Sequence, residues 1–414
     1  FTSFGSQILR KIAFIFISLF SAMRKERLLI GNRILILSVS VGTGHMRSAE
    51  ALKKAAEILY PEIQVVIMDT FRYTNPFLDK AVFGTYMKIL RIAPSFYGYL
   101  YRRSEHGNTL SRYSKQGFNR LINTLTAPKL SEYIKNFSPQ IIVCTHPFPL
   151  GIVAGMKKRG VFQGALYATI TDFTIHSFWI FPEVDFYIVA SEHLMVECEK
   201  AGLGKGQILA TGIPIDPAFE EKPEKKTLRQ RLGLQAGLAT ILVMGGGLGM
   251  GPLLGAVQAL DQLGNSCQVI VVTGKNKAVF EKLNRLAPGL SCKIKVLGFV
   301  DNIHELMLAS DLIVGKAGGL TCAEALAAGL PVFILDPLPG HEERNTEFFI
   351  NLGAGYRVNE RNLAGLIRSC LLDPEKMAGM SKNASHLGKP GAACNALRFM
   401  VKNLPEKIIA SRHL

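Results

Sequence analysis

The chain has 414 residues, 48% of them apolar, enough for two well-filled cores, so disordered and fibrous classes are excluded. Its formal net charge of +16 favours an anionic partner: nucleotide phosphates, nucleic acid or an acidic membrane face. The seven cysteines are scattered, odd in number and free of any CxxC spacing, which excludes a disulfide frame or zinc ribbon and reads as reduced, cytosolic core thiols.

The first 31 residues form an extension. Within it, Ile12 to Phe20 is strongly apolar and flanked by Arg10, Lys11, Arg24 and Lys25, but shorter than the roughly 20 residues that cross a bilayer. It reads as a surface anchor or an extension, with a signal peptide as the alternative. Arg33 to Val39 is a continuous β-branched and leucine run, the pattern of a buried parallel strand. It ends in Ser40-Val41-Gly42-Thr43-Gly44-His45, and a helix is expected from about Ser48 to Leu59. The turn is neither a GxGxxG fingerprint nor a Walker A loop. In open parallel sheets ligands sit beyond the carboxyl ends of strands, which puts His45 at the crevice. It is either a general base or a helix-start histidine, and the residues alone leave both open.

A strand at Ile63 to Met68 is followed by a change of composition. Residues 72–120 interleave aromatics (Phe77, Phe83, Tyr86, Phe96) with bases (Lys80, Lys88, Arg91, Arg102). A membrane-facing insertion fits best, ahead of a helical core insertion and a nucleic-acid grip. Strands at Ile141 to Cys144, Leu166 to Ile170 and Phe186 to Ala190 then end in polar residues, among them His146, Asp172 and Ser191. Glu220 to Lys226 is a charge run suited to a linker. A second series opens at Thr240 to Met244, runs into Gly245 to Gly251, and continues through Gln268 to Thr273 and Ile294 to Leu297. It reaches a strand–turn–helix–strand unit from Leu312 to Leu335, whose Gly-rich turn is Gly315 to Gly319 and whose helix is expected at Thr321 to Ala328. A helix N-terminus there suits a phosphate, and Glu324 is expected in its first turn. The fold class is therefore α/β, with two Rossmann-like domains facing across a cleft: residues 32–212 and 240–390, joined by a linker at 213–239. A last helix at 391–404 could pack back on the first domain.

These stretches resemble the monogalactosyldiacylglycerol synthase and diacylglycerol glycosyltransferase family, which is related to the bacterial peptidoglycan N-acetylglucosaminyltransferase. The resemblance is carried by SVGTGHMRSAEAL from Ser40, TDFTIHSFW from Thr171, TGIPIDPAF from Thr211, MGGGLGMGP from Met244, VLGFVDNI from Val296, GKAGGLTCAEALAAGLP from Gly315 and PGHEERN from Pro339. It implies a GT-B fold and an inverting transfer of galactose or glucose from a UDP-sugar to 1,2-diacylglycerol, by an enzyme that is cytoplasmic and peripheral to an anionic membrane surface. It implies no metal or other cofactor, in keeping with the lack of an Asp-x-Asp, and no nucleic acid. Transferred residue by residue, His45 is the base and Asp172 an acceptor-side group; Gly246, Gly247, Gly318, Gly319 and Thr321 cradle diphosphate. Phe299 and Val300 hold uracil through their backbone, Glu324 the ribose, and Glu342 and Asn345 the sugar hydroxyls; Asp216 is structural, at the hinge. The family's plant members have three glycines where this chain reads Gly42-Thr43-Gly44, a carboxylate where it has Leu248, and a small residue where it has Arg344, so the donor sugar stays open. The alternatives are transfer of N-acetylglucosamine to a polyprenyl-linked acceptor and a soluble UDP-sugar epimerase.

Overall fold

The structure, a computed structural model, describes residues 32–40, 43–75 and 126–404. The apolar segment 12–20 and almost all of the aromatic-basic stretch 72–120 lie outside these residues. Among the described residues no helix is long and apolar enough to cross a membrane.

Two six-stranded, wholly parallel sheets form the frame. The first contains β1 (Arg33–Ser38), β2 (Gln64–Asp69), β3 (Ile141–Cys144), β4 (Ala165–Thr169), β5 (Phe186–Ile188) and β6 (Ile208–Leu209), in the order β2-β1-β3-β4-β5-β6. The second contains β7 (Ala239–Met244), β8 (Cys267–Val272), β9 (Lys293–Leu297), β10 (Leu312–Gly315), β11 (Val332–Leu335) and β12 (Gly355–Val358), in the order β12-β11-β10-β7-β8-β9. Strand order reverses at β1/β3 in one sheet and at β7/β10 in the other. At such switch points the loops diverge to opposite faces and leave a crevice beyond the strand ends. Register brings Leu37 beside Cys144, and Met244 beside Gly315, so each crevice is floored by two adjacent strand ends.

Alternation along β1 shows how the first sheet is covered. Leu35 and Leu37 join the core on one face, with Ile142, Leu166 and Ile152. Ile34 and Ile36 point the other way, onto Ala49, Leu52 and Ala56 of helix α1 (Gly44–Leu59) and onto Leu397 and Met400 of a helix near the end of the chain, Ala392–Lys402. That last helix therefore packs on the first sheet although the second sheet precedes it in sequence. The chain passes between the domains twice, and the two passages touch at Gly212. Its φ of 98° lies in the left-handed region, and a Cβ there would fall 2.6 Å from that of Lys389 and 2.9 Å from that of Ala392. Only glycine meets both demands without strain.

The charge run after the first passage does more than face solvent. Its second lysine, Lys225, opens helix α2 (Lys225–Arg231), where Leu228 and Arg229 are buried. Arg229 donates to Ala309 O at 2.9 Å and pairs with Asp311 at 2.6 Å, tying α2 to the second domain. All seven cysteines are buried free thiols.

Candidate active site

The two crevices face one another, and the loops at both switch points interlock. Helix α1 starts at Gly44, earlier than the sequence suggests, which puts His45 inside its first turn instead of before it; Arg47 N already donates to Thr43 O at 3.0 Å. Likewise helix α3 (Gly319–Ala327), which follows β10, begins at Gly319, so Glu324 lies in its second turn and not in the first. In both places a glycine assigned to the turn before the helix is a helical residue. At Gly319 the reason is close approach. A Cβ on Gly319 would sit 2.0 Å from Thr171 O and 2.8 Å from Asp172 Oδ1, both in the opposite domain. A Cβ on Gly247 would sit 2.6 Å from the Thr43 side chain, again across the cleft.

His45 is held by a neighbouring strand end. Its Nδ1 lies 2.8 Å from Thr145 O, at the end of β3, and 2.8 Å from Thr171 Oγ1. A carbonyl only accepts, so Nδ1 carries the proton and Nε2 keeps its lone pair. Burial pushes the imidazole below its usual range; Asp172 and the Thr145 bond oppose that, and His341 adds to it. The neutral, proton-accepting form therefore prevails at neutral pH. The His146 ring lies edge-on to His45, centroids 4.6 Å apart, and its own Nδ1 accepts from Phe148 N. Burial, and then His45, hold His146 well below the ordinary histidine range.

Across the cleft, Gly246, Gly247, Phe299, Val300, Thr321 and Glu324 line one hollow of about 60 Å³, which also takes in Thr43 and Arg47 from the first domain. Six residues spread over 79 positions of sequence thus converge. Glu324 is 8% exposed, and burial raises its carboxyl to about 8, opposed by the charge of Arg47 and reinforced by that of Asp216. Gly318 precedes α3 and accepts from Cys322 N at 2.9 Å. Glu342 and Asn345 sit apart from the hollow, in the helix His341–Asn351. Glu342 is buried, paired with Lys316 at 2.8 Å and accepting from Leu338 N at 2.9 Å. Asn345 is fully buried and ties the domains together: its amide donates to Ala317 O at 2.8 Å and to Asp172 Oδ1 at 3.3 Å, and its carbonyl accepts from Phe173 N at 3.1 Å. Phe173 completes the junction, 4.8 Å and 5.4 Å from the rings of Phe348 and Phe349.

The monogalactosyldiacylglycerol (MGDG) synthase family pattern matches residues 45–215, and the glycosyltransferase family 28 C-terminal domain matches residues 240–396. Processive diacylglycerol beta-glucosyltransferases from Bacillus pumilus (strain SAFR-032) and Bacillus subtilis (strain 168) are each 30% identical to this chain, over 360 and 359 residues, covering 86% of it and 91% of themselves. The chain belongs to the diacylglycerol glycosyltransferase family. Among solved structures, Acinetobacter baumannii MurG matches with a TM-score of 0.59 at 16% identity, covering 90% of this chain and 99% of that one. Anabaena HepE in complex with UDP matches at 0.52, with 18% identity and 90% and 100% coverage. The UDP-GlcNAc 2-epimerase of Neisseria meningitidis, bound to UDP-GlcNAc, matches at 0.56, with 12% identity and the same coverage. These likenesses show the GT-B fold, which transferases and epimerases share; the sequence relatives make this protein a glycosyltransferase and set the epimerase alternative aside.

Two charged residues of this diacylglycerol glycosyltransferase relative escape a reading of its sequence. Lys316 lies within the Gly-rich turn, and a cation beside a phosphate-sized turn was a usable signal. Arg47 had none. Two residues after His45, it shares no helical face with it, and only the closed cleft brings it to Phe299 and Glu324.

Proposed function

We propose that the protein transfers glucose from UDP-glucose to diacylglycerol with inversion, at the surface of an anionic membrane, and that its glucosylated product serves again as acceptor. The carrying observation is the pinned tautomer of His45, at the point where the two switch-point crevices meet. The acceptor hydroxyl oxygen attacks the anomeric carbon, its proton passes to Nε2 of His45, and the bond from that carbon to the UDP oxygen breaks. Asp172 stabilises the imidazolium that forms, as its opposing charge on His45 already implies. Charge developing on the leaving diphosphate meets the amides of Gly246, Gly247 and Gly319 and the N-terminus of α3, through Gly318 and Thr321. Phe299 and Val300 take the uracil edge and Glu324 the ribose hydroxyls. Glu342 and Asn345 read the sugar once the cleft rearranges to admit it, since Asn345 spends its whole amide on the closed junction.

Glucose is preferred over galactose because the relatives above are named glucosyltransferases; their names also supply the diacylglycerol acceptor and the repeated addition. The net charge of +16 supports the anionic surface. The test is incubation with diacylglycerol vesicles and UDP-glucose, UDP-galactose or UDP-N-acetylglucosamine in turn, with mass analysis of the lipid. Mono- and diglucosyl lipid from UDP-glucose is expected. Product from UDP-galactose alone would overturn the sugar assignment, and transfer only to a polyprenyl-linked acceptor would overturn the lipid.

A further inference from the structure

Arg47 belongs to the first domain but spends its guanidinium on the second. Nη2 donates to Val300 O at 3.2 Å, and the guanidinium carbon stands 5.3 Å from the centre of the Phe299 ring. Its carboxylate neighbours hold it loosely: Glu50 at 3.7 Å and Asp301 at 3.8 Å, the second 89% exposed. Ion pairs of that kind contribute little, so the side chain is free to exchange partners.

The spaces on either side of it explain why it must. Arg47 is the one cation among the residues lining the 60 Å³ hollow, and Glu324 the one acidic side chain. Behind it lies a larger cleft of about 470 Å³. Arg47, Ile303, Leu320 and Glu324 line both and form the partition between them. Ligand sites run to roughly 300–1,000 Å³, so the hollow alone cannot admit a nucleotide and the partition has to give. The acceptor that Arg47 occupies, Val300 O, belongs to a residue that the donor-site reading gives to the uracil edge, and a carbonyl there can accept from the base. A base docking there displaces the guanidinium from Val300 and frees it within the same hollow as the amides of Gly246 and Gly247. A planar five-donor fork released beside two phosphates binds them in bidentate fashion.

Building on the donor-site reading above, we propose that Arg47 is a diphosphate ligand supplied across the cleft by the acceptor-side domain. It exchanges its contact with Val300 for the phosphates when nucleotide binds, so that the bond it makes across the cleft passes from the protein to the donor. The test is calorimetric titration of the full-length protein, wild type, Arg47→Ala, Arg47→Gln and Arg47→Lys, with UDP and with uridine. Loss of a charge-assisted contact raises the UDP dissociation constant by about 10–100-fold in the Ala and Gln variants. Uridine affinity stays within about twofold of wild type, or tightens as competition for Val300 O is lifted, and the Lys variant recovers part of the UDP affinity. Thermal melts of the four proteins establish that each is folded, with Arg47→Gln the variant of record if Arg47→Ala melts early. Equal losses for UDP and uridine would reduce Arg47 to a support of the pocket wall, and unchanged UDP affinity would remove it as a ligand; either overturns the proposal while leaving the donor site standing. A wild-type protein that binds no UDP would overturn the donor site as well.

Discussion

Replacing Glu324 by glutamine should make the nucleotide-free protein more stable as pH rises. The carboxyl is buried in α3 and raised to about 8 from a reference of 4.5, burial being the largest cause. A raised folded-state value means that the folded protein prefers the protonated form. The stabilisation is complete below about pH 4.5 and is lost progressively as pH rises towards about 8. Within that window each pH unit costs about 1.4 kcal/mol. Glutamine keeps the shape and hydrogen-bonding atoms of the protonated acid without titrating, so the variant escapes this cost. The stability difference between Glu324→Gln and wild type should therefore widen by about 2 kcal/mol between about pH 5.5 and about pH 7, and flatten above about pH 8. At roughly 2–4 °C per kcal/mol for a domain of this size, the melting curves separate by about 4–8 °C. Far-UV circular dichroism across a pH series is the assay, because the only tryptophan, Trp179, lies in the first domain and would miss the second. Parallel stability curves for the two proteins would refute the reasoning and place an ionised, compensated carboxylate at 324.

His45→Gln should lower kcat by about 10²–10⁴-fold and leave the dissociation constant of UDP near wild type. The acid limb of the wild-type kcat/KM profile should fall below pH 6.5, since burial lowers the imidazole and activity is lost only as pH drops through that lowered value; an acid limb above 6.5 would count against His45 as the base. Gly319→Ala puts a methyl against Thr171 O, so kcat should drop at least tenfold, roughly 1.4 kcal/mol or more, without a matching fall in melting temperature; stopped-flow and calorimetric scans separate the two readouts. Binding to vesicles of anionic lipid should weaken steadily with added salt, as screened basic contacts must.

Much of this site could be read along the chain because its parts are local. A buried strand followed by a Gly-rich turn and a helix announces a crevice by itself, and this happens at β1, β7 and β10. The helix starts were misplaced by the same logic. Glycine read as a turn residue delays the helix start on paper, but Gly44 and Gly319 are helical, and Gly319 at least is glycine because the other domain presses on it. That pressure is a property of two surfaces hundreds of residues apart, and no local pattern encodes it. Arg47 escaped for the same reason, and Asn345, readable as a sugar ligand, is in the closed cleft a clasp on Asp172, Ala317 and Phe173. The charge run at 220–226 was legible as polar, yet the helix that Lys225 opens docks through Arg229, because a guanidinium can be buried once a carboxylate and two carbonyls receive it.

The helix Ala392–Lys402 carries a consequence for how the protein comes into being. It supplies Leu397 and Met400 to the face of β1 that Ile34 and Ile36 present, yet it is synthesised after every strand of the second sheet. A growing chain folds its domains as they emerge, usually the N-terminal one first. Here that order is inverted. Helix α1 covers part of that face, and the rest stays open until residues 392–402 have been made. The donor-binding sheet can therefore form before the acceptor-side sheet is fully covered.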